Sequence, residues 1–149
     1  TSNITGYLMS DRDIHLTVKA PSTVEAIDGP SAGASLTVLM ISLIEGFEIK
    51  SDVMMTGTID LSGKIGRVGG IVAKTQAASD AGAKMLLIPK GQMMQTVYTE
   101  IERKMFPGVT IRTVESTQVD VIEYAREKLD ITILEVEHVE EALTLFRAD

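Results

Sequence analysis

The spacing of apolar positions changes several times along the chain, and each change marks an element. In Asp13-Ile14-His15-Leu16-Thr17-Val18 apolar side chains alternate with more polar ones, the period-two pattern of a half-buried strand. Residues 19–30 carry Pro21 and Pro30 and close on Asp28-Gly29-Pro30, which reads as a loop. Helix formers run from Ser31 to about Glu45, with Gly46 where a C-terminal cap belongs. Residues 53–61 read as a strand, Ser62-Gly63 as a turn and residues 64–68 as the returning strand of a hairpin.

Gly69-Gly70 breaks the chain ahead of a second helix over 71–81, which Gly82 stops. A short apolar strand over 84–88 is bounded by Pro89, and the pattern predicts another helix over 93–104, ended by Pro107-Gly108. Two strand–helix units come next: a strand at 109–115 with a helix at 118–129, then a strand at 131–137 with a helix at 138–147. Two ordinary βα units built from the same propensities look alike without any duplication. The resulting order predicts an α/β domain of the α+β type, with mixed β-sheets and packed helices, as a single domain over 1–149.

Composition narrows the chemistry. With 149 residues, 44% hydrophobic and 23% charged, the chain has an ordinary globular balance and enough length for a sizeable core. Aromatic residues are few, so that core is aliphatic, with eight Met as gap fillers. Cys is absent, which excludes disulfides, thiolate metal sites and a cysteine nucleophile. The two His, His15 and His138, argue against a multi-histidine metal site. A net charge of -7 argues against nucleic acid as a partner, because that affinity comes from Lys and Arg on phosphates. The uncharged run from Gly29 to Ile44 falls short of the roughly 20 residues a membrane span needs. With no leader pattern and no membrane segment in the sequence, the expected location is cytoplasmic.

The most informative stretch is Asp28-Gly29-Pro30-Ser31-Ala32-Gly33, leading directly into an apolar helix. Ser31 falls where free N–H groups and the positive end of the helix dipole favour negative charge, so an oxyanion formed by serine attack has donors nearby. A serine in this place also serves as a plain helix cap, and the residues leave both readings open. A nucleophile needs a base. His138 lies among Glu137 and Glu140, while His15 alternates with Ile14 and Leu16 and suits a supporting role. A neutral lysine is the alternative partner for a serine. Lys74 stands in the first turn of the helix after Gly70, among Ile71, Val72, Ala73, Ala77 and Ala78. A surface lysine lying over an alanine-rich helix has the same sequence.

Taken in order, Asp28–Gly33, Met55-Thr56-Gly57 and the run from Gly63 to Lys74 resemble the proteolytic domain of Lon-type Ser–Lys endopeptidases. Ala77-Ala78, Ala81-Gly82-Ala83-Lys84 and Leu87-Ile88-Pro89-Lys90 continue the similarity. The resemblance implies the Lon protease domain fold, which is ribosomal protein S5 domain 2-like. It also implies Ser31 as nucleophile and Lys74 as general base. Thr56 matches a threonine whose hydroxyl helps hold that lysine. Asp28 matches the acidic residue ahead of the serine, with Gly29 and Pro30 shaping the turn. Family members carry further strands ahead of the His15 strand, so the expectation is a trimmed domain or a fragment.

The expected function is therefore serine endopeptidase action on unfolded or flexible polypeptide through an acyl-enzyme, without metal or organic cofactor. No Gly-x-x-x-x-Gly-Lys-Ser/Thr occurs, so ATP would be used only by an attached ATPase module. The family likeness also implies a homo-oligomer, in the form of a hexameric ring. Two other readings stand beside it: a non-catalytic Lon-like scaffold or oligomerisation domain, and a phosphate or nucleotide binder using Gly69-Gly70 at a helix start. A scaffold has no use for both Ser31 and Lys74, and Gly69-Gly70 is a weak signal for phosphate in a chain of acidic balance.

Overall fold

A computed structural model of the chain describes Gly6, residues 13–17, Lys19 and residues 29–148. In chain order it contains a 3-10 turn (Pro30–Ala32), α1 (Gly33–Glu45), β1 (Val53–Met55), β2 (Thr58–Ile59), β3 (Ile65–Gly66) and α2 (Ile71–Asp80). Then come β4 (Met85–Pro89), β5 (Met94–Phe106), β6 (Val109–Asp120), α3 (Val121–Lys128), β7 (Thr132–Val136) and α4 (Val139–Phe146).

The centre is a parallel sheet in the order β1-β4-β7. Successive strand residues point to opposite faces, so the sheet feeds two cores. Val53, Met55, Leu87 and Val136 meet Ala34, Val38 and Ile41 of α1 and Val139, Ala142 and Phe146 of α4. On the other face, Leu86, Ile88 and Ile133 meet Ile71 and Ala78 of α2 and Val121 and Ala125 of α3. Middle strand β4 is covered on both sides, which explains why Leu86-Leu87-Ile88 reads as an unbroken apolar run. The mixed α/β architecture expected from the order of elements is the one observed.

Boundaries depart from the expectation in four places. The strand read over 53–61 is two strands in different sheets: β1 joins β4, whereas β2 pairs antiparallel with β3. The break falls at Thr56-Gly57, and a Cβ on Gly57 would lie 2.6 Å from Ile65 Cγ2, so the chain turns where only glycine fits.

The helix read over 93–104 is instead strand β5, paired with β6 in unbroken register from Met94 to Lys104, with a bulge at Met105, in a long hairpin turned by Pro107-Gly108. Val97, Ile101 and Met105 recur every fourth residue, a spacing that fits one face of a helix and also every second inward position of a strand. Pairing with the β-branched run of β6 decides between them. Strand β6 in turn runs on to Asp120, and α3 starts at Val121, later than the 118 expected, with Asp120 Oδ1 accepting the N–H groups of Ile122 and Glu123 at 2.9 and 3.1 Å.

Residues 13–17, expected as part of a strand, have no strand pairing here, and Ile14 and Leu16 are 55% and 57% exposed. Alternation supplies a face, but a strand also needs a neighbour to take its backbone hydrogen bonds. Val18 lies outside the described residues. No helix among the described residues is long and apolar enough to cross a membrane.

Candidate active site

Gly29 has a φ of 107°, in the region that favours glycine, and Pro30 comes next as the first residue of the 3-10 turn. The Ser31 carbonyl accepts the Gly57 N–H at 2.8 Å, and Ala34 N–H donates to the Gly57 carbonyl at 3.0 Å. This reciprocal pair fastens the start of α1 to the break between β1 and β2. The N-cap is Gly29 for the 3-10 turn and Ala32 for α1, neither with a side-chain cap hydrogen bond, so Ser31 is not placed as the helix cap. Ser31 itself is half-buried.

Thr56 is 6% exposed, and its hydroxyl donates to the Ser31 carbonyl at 3.3 Å. The Thr56 N–H donates to the Leu87 carbonyl at 3.1 Å, which prolongs the β1–β4 ladder by one rung. The threonine is thus held by the sheet and in turn holds the serine's backbone. Its single O–H is used in that contact, while its oxygen lone pairs are left as acceptors.

Lys74 lies on the inner side of α2, between Ile71 and Thr75, both fully buried, and is itself half-buried. Positions 71, 74, 75 and 78 share one helix face, so seating Ile71, Thr75 and Ala78 on the sheet turns Lys74 toward β1. The N–H of Lys74 closes the first helical turn on the Gly70 carbonyl at 2.9 Å.

Ser31, Thr56 and Lys74 line one cleft of about 300 Å³. Ala32 and Ser35 complete its α1 side, Met54, Met55 and Leu86 its floor, and Ala77 and Ala78 its α2 side. Residues from both sides of the central sheet therefore converge at one end of it. Asp28 lies outside the described residues. His15 is exposed and, among the described residues, is not part of the cleft lining.

Asp60, Lys90 and Glu137, none of them in the cleft lining, have shifted ionisations. Glu137 is held below the usual carboxylate range chiefly by its hydrogen bond from Lys90 Nζ at 2.6 Å, and the same contact raises Lys90. Lys64 Nζ adds a longer contact to Glu137 at 3.8 Å. These charges tie the β2–β3 turn to the ends of β4 and β7.

A family model, the Lon protease (S16) C-terminal proteolytic domain, matches residues 2–128. The chain belongs to this family. A Lon protease of Clostridium beijerinckii is 36% identical over 129 residues, 87% of this chain and 15% of that protein. A Lon protease of Azospirillum brasilense is 37% identical over 144 residues, 95% of this chain and 17% of that protein. An archaeal Lon protease of Pyrococcus abyssi is 31% identical over 142 residues, 95% of this chain and 13% of that protein. The chain thus spans less than a fifth of the length of each of these relatives. The stretch matching the Lon domain model takes in Ser31, Thr56 and Lys74 and also the β5–β6 hairpin, whereas α4 lies beyond it.

Two polar residues, one in the cleft wall and one beyond it, had no signal in the sequence. Ser35, one turn beyond Ser31, reaches the cleft wall while its hydroxyl donates to the Ala32 carbonyl at 2.8 Å. Gln92, in the turn after β4, is buried with its side-chain amide bound to the backbone of Val68. A lone glutamine after a strand has no periodicity or spacing that would single it out.

Proposed function

We propose that this Lon-family proteolytic domain is a serine endopeptidase, hydrolysing peptide bonds of unfolded or flexible polypeptide by a Ser31–Lys74 dyad. The observation that carries the reading is the meeting in one cleft of Ser31, from the turn that leads into α1, and Lys74, from α2, the two helices lying on opposite faces of the sheet. In the neutral form, Lys74 takes the Ser31 hydroxyl proton as the oxygen attacks the scissile carbonyl. Main-chain N–H groups near Ser31 stabilise the oxyanion; Pro30 has none to give, so they belong to its neighbours. As the carbonyl re-forms, the C–N bond breaks and Lys74 returns the proton to the leaving amine. Water, activated by the same amine, then attacks the acyl-enzyme and releases the second product. Thr56 orients the pair: its hydroxyl donates to Ser31, and its lone pairs accept from the Lys74 ammonium. No step in this sequence calls on a metal or an organic cofactor.

The test is hydrolysis of casein and of a fluorogenic peptide by Ser31→Ala, Lys74→Ala and the double variant. Each single change abolishes turnover, and the double costs no more than either, because the two residues act as a unit. His15→Gln retains activity and leaves the acid limb of kcat/KM in place. Turnover by either dyad variant comparable to wild type would sink the assignment.

A further inference from the structure

The turn after β4 contains a side chain whose bonds lead to the helix that bears Lys74. Gln92 is 3% exposed. Its Nε2 donates to the Val68 carbonyl at 2.7 Å, and its Oε1 accepts the Val68 N–H at 2.9 Å. One side-chain amide thus satisfies both backbone groups of one residue, as a neighbouring strand would. Gln92 is itself fixed: its own N–H and that of Met93 donate to Glu135 Oε1 on β7 at 2.9 and 3.0 Å. One residue earlier, Arg67 Nη1 donates to the Gly91 carbonyl at 3.1 Å.

The hold on Val68 matters because two glycines come next in the chain. Gly69 and Gly70 separate Val68 from Ile71, Gly70 has a φ of 68°, and a Cβ at either glycine would meet nothing within 4 Å. Neither glycine has a side chain to anchor it, and the space where one would stand is open, so the entry of the chain into α2 depends on how firmly Val68 is held. Lys74 is in the first turn of that helix. Without the Val68 anchor the first turn of α2 is seated by the packing of Ile71, Thr75 and Ala78, since the hydrogen bonds of Gln76 with Tyr124 and of Ser79 with the Leu129 carbonyl lie further along the helix. That packing is non-directional, and it tolerates small shifts of the first turn that catalysis does not.

We propose that Gln92 is a positioning residue for the Ser31–Lys74 chemistry, holding Val68 and through it the first turn of α2 in the register that presents Lys74 to Ser31. The inference rests on the dyad reading above, and it assigns Gln92 no contact with substrate.

The experiment uses the full chain with Gln92→Leu, which keeps bulk and loses both hydrogen bonds, and Gln92→Glu, which keeps the acceptor. For Gln92→Leu, kcat for a fluorogenic peptide falls about tenfold or more while KM stays within about twofold, as expected of misplaced reacting groups. Amide exchange at Val68 and at residues 71–74 speeds up, with far-UV circular dichroism unchanged. In Gln92→Glu the introduced carboxylic acid can donate to the Val68 carbonyl only when protonated. Its activity relative to wild type therefore rises as pH falls, whereas the Gln92→Leu ratio does not. A folded Gln92→Leu protein with kcat within about twofold of wild type, or with unchanged exchange at Val68, overturns the proposal. Where Gln92→Leu fails to fold, a pH-independent ratio for Gln92→Glu overturns it. Activity in Ser31→Ala would instead overturn the dyad reading, a result seen in a different variant.

Discussion

The main-chain carbonyl of Ser31 is held by two consecutive residues, accepting the Gly57 N–H at 2.8 Å and the Thr56 hydroxyl at 3.3 Å. A serine at the start of a helix is ordinarily placed by that helix. Here it is also placed by the sheet, because Thr56 continues the β1–β4 ladder. The distance from Ser31 to the α2 side of the cleft is thereby tied to the strand on which α2 packs.

Thr56→Val isolates the hydroxyl, because the shape is kept and the Gly57 amide still serves the Ser31 carbonyl. One long hydrogen bond is lost, so thermal melting registers a cost of about 1 kcal/mol. Activity falls further than stability, by about tenfold in kcat, because the Ser31 backbone loses a hold and, in the proposed mechanism, the lysine amine loses an acceptor. Thr56→Ser restores most of it. Equal activity in Thr56→Val and wild type would mean that the hydroxyl only fills the sheet.

Gly57→Ala tests the close approach at the strand break. The added methyl meets Ile65 Cγ2 at 2.6 Å and the Ala34 Cβ at 3.3 Å, so β3 or α1 must move. The expected destabilisation is about 1–3 kcal/mol by denaturant unfolding, in the range for overpacking. Since Ala34 and Ser31 are both bonded to Gly57, hydrolysis falls even where the protein remains folded.

The parts of the fold that were legible in the sequence are those where the local pattern and the tertiary outcome agree. Gly46 and Gly82 end their helices, Leu86-Leu87-Ile88 is a strand buried on both faces, and residues 58–66 form a hairpin. Ser31 and Lys74 were legible from their turns only as candidates, and the family resemblance is what favoured a reacting pair over a cap and a surface lysine. Their meeting in one cleft depends on a sheet order that no local pattern contains. The β5 strand was misread because a four-residue spacing serves two periods, and its partner β6 is what resolves the ambiguity. Gln92 was invisible because its role comes from a contact with Val68 across the fold.

The β5–β6 hairpin supplies a test of where the stable unit ends. Beyond its root it is almost wholly exposed, with Tyr98 and Phe106 each 70% exposed. Tyr98 and Ser116 face each other in register, so residues 99–115 can be replaced by Asn-Gly, a favoured two-residue hairpin turn. The shortened chain is expected to unfold in one cooperative transition, with a midpoint within about 5 °C of the original, since little buried surface is removed. Peptide hydrolysis is retained. Loss of the folded state would mean that the distal arm contributes to the core.

The turn between β2 and β3 predicts a pH-dependent stability. Asp60 Oδ1 accepts the Ser62 hydroxyl at 2.7 Å and the N–H groups of Ser62 and Lys64 at 2.8 and 3.0 Å. These bonds favour the ionised form, and the Ser62 hydroxyl is the largest influence lowering Asp60 below its ordinary value of 3.8. A carboxyl whose value is lowered on folding adds stability above its unfolded value and loses it as pH falls through the folded one. Asp60→Asn keeps the shape and an acceptor but removes the charge. Thermal melts from neutral pH down to about 2 should therefore show the variant less stable near neutrality, with the two curves converging as the wild-type carboxyl protonates. The residue is exposed, so the gap is small, and added salt leaves most of it in place because hydrogen bonding outweighs the charge of Lys64 in setting it. A gap that persists unchanged at the acid end would mean that the asparagine fails in the turn for reasons of geometry rather than charge.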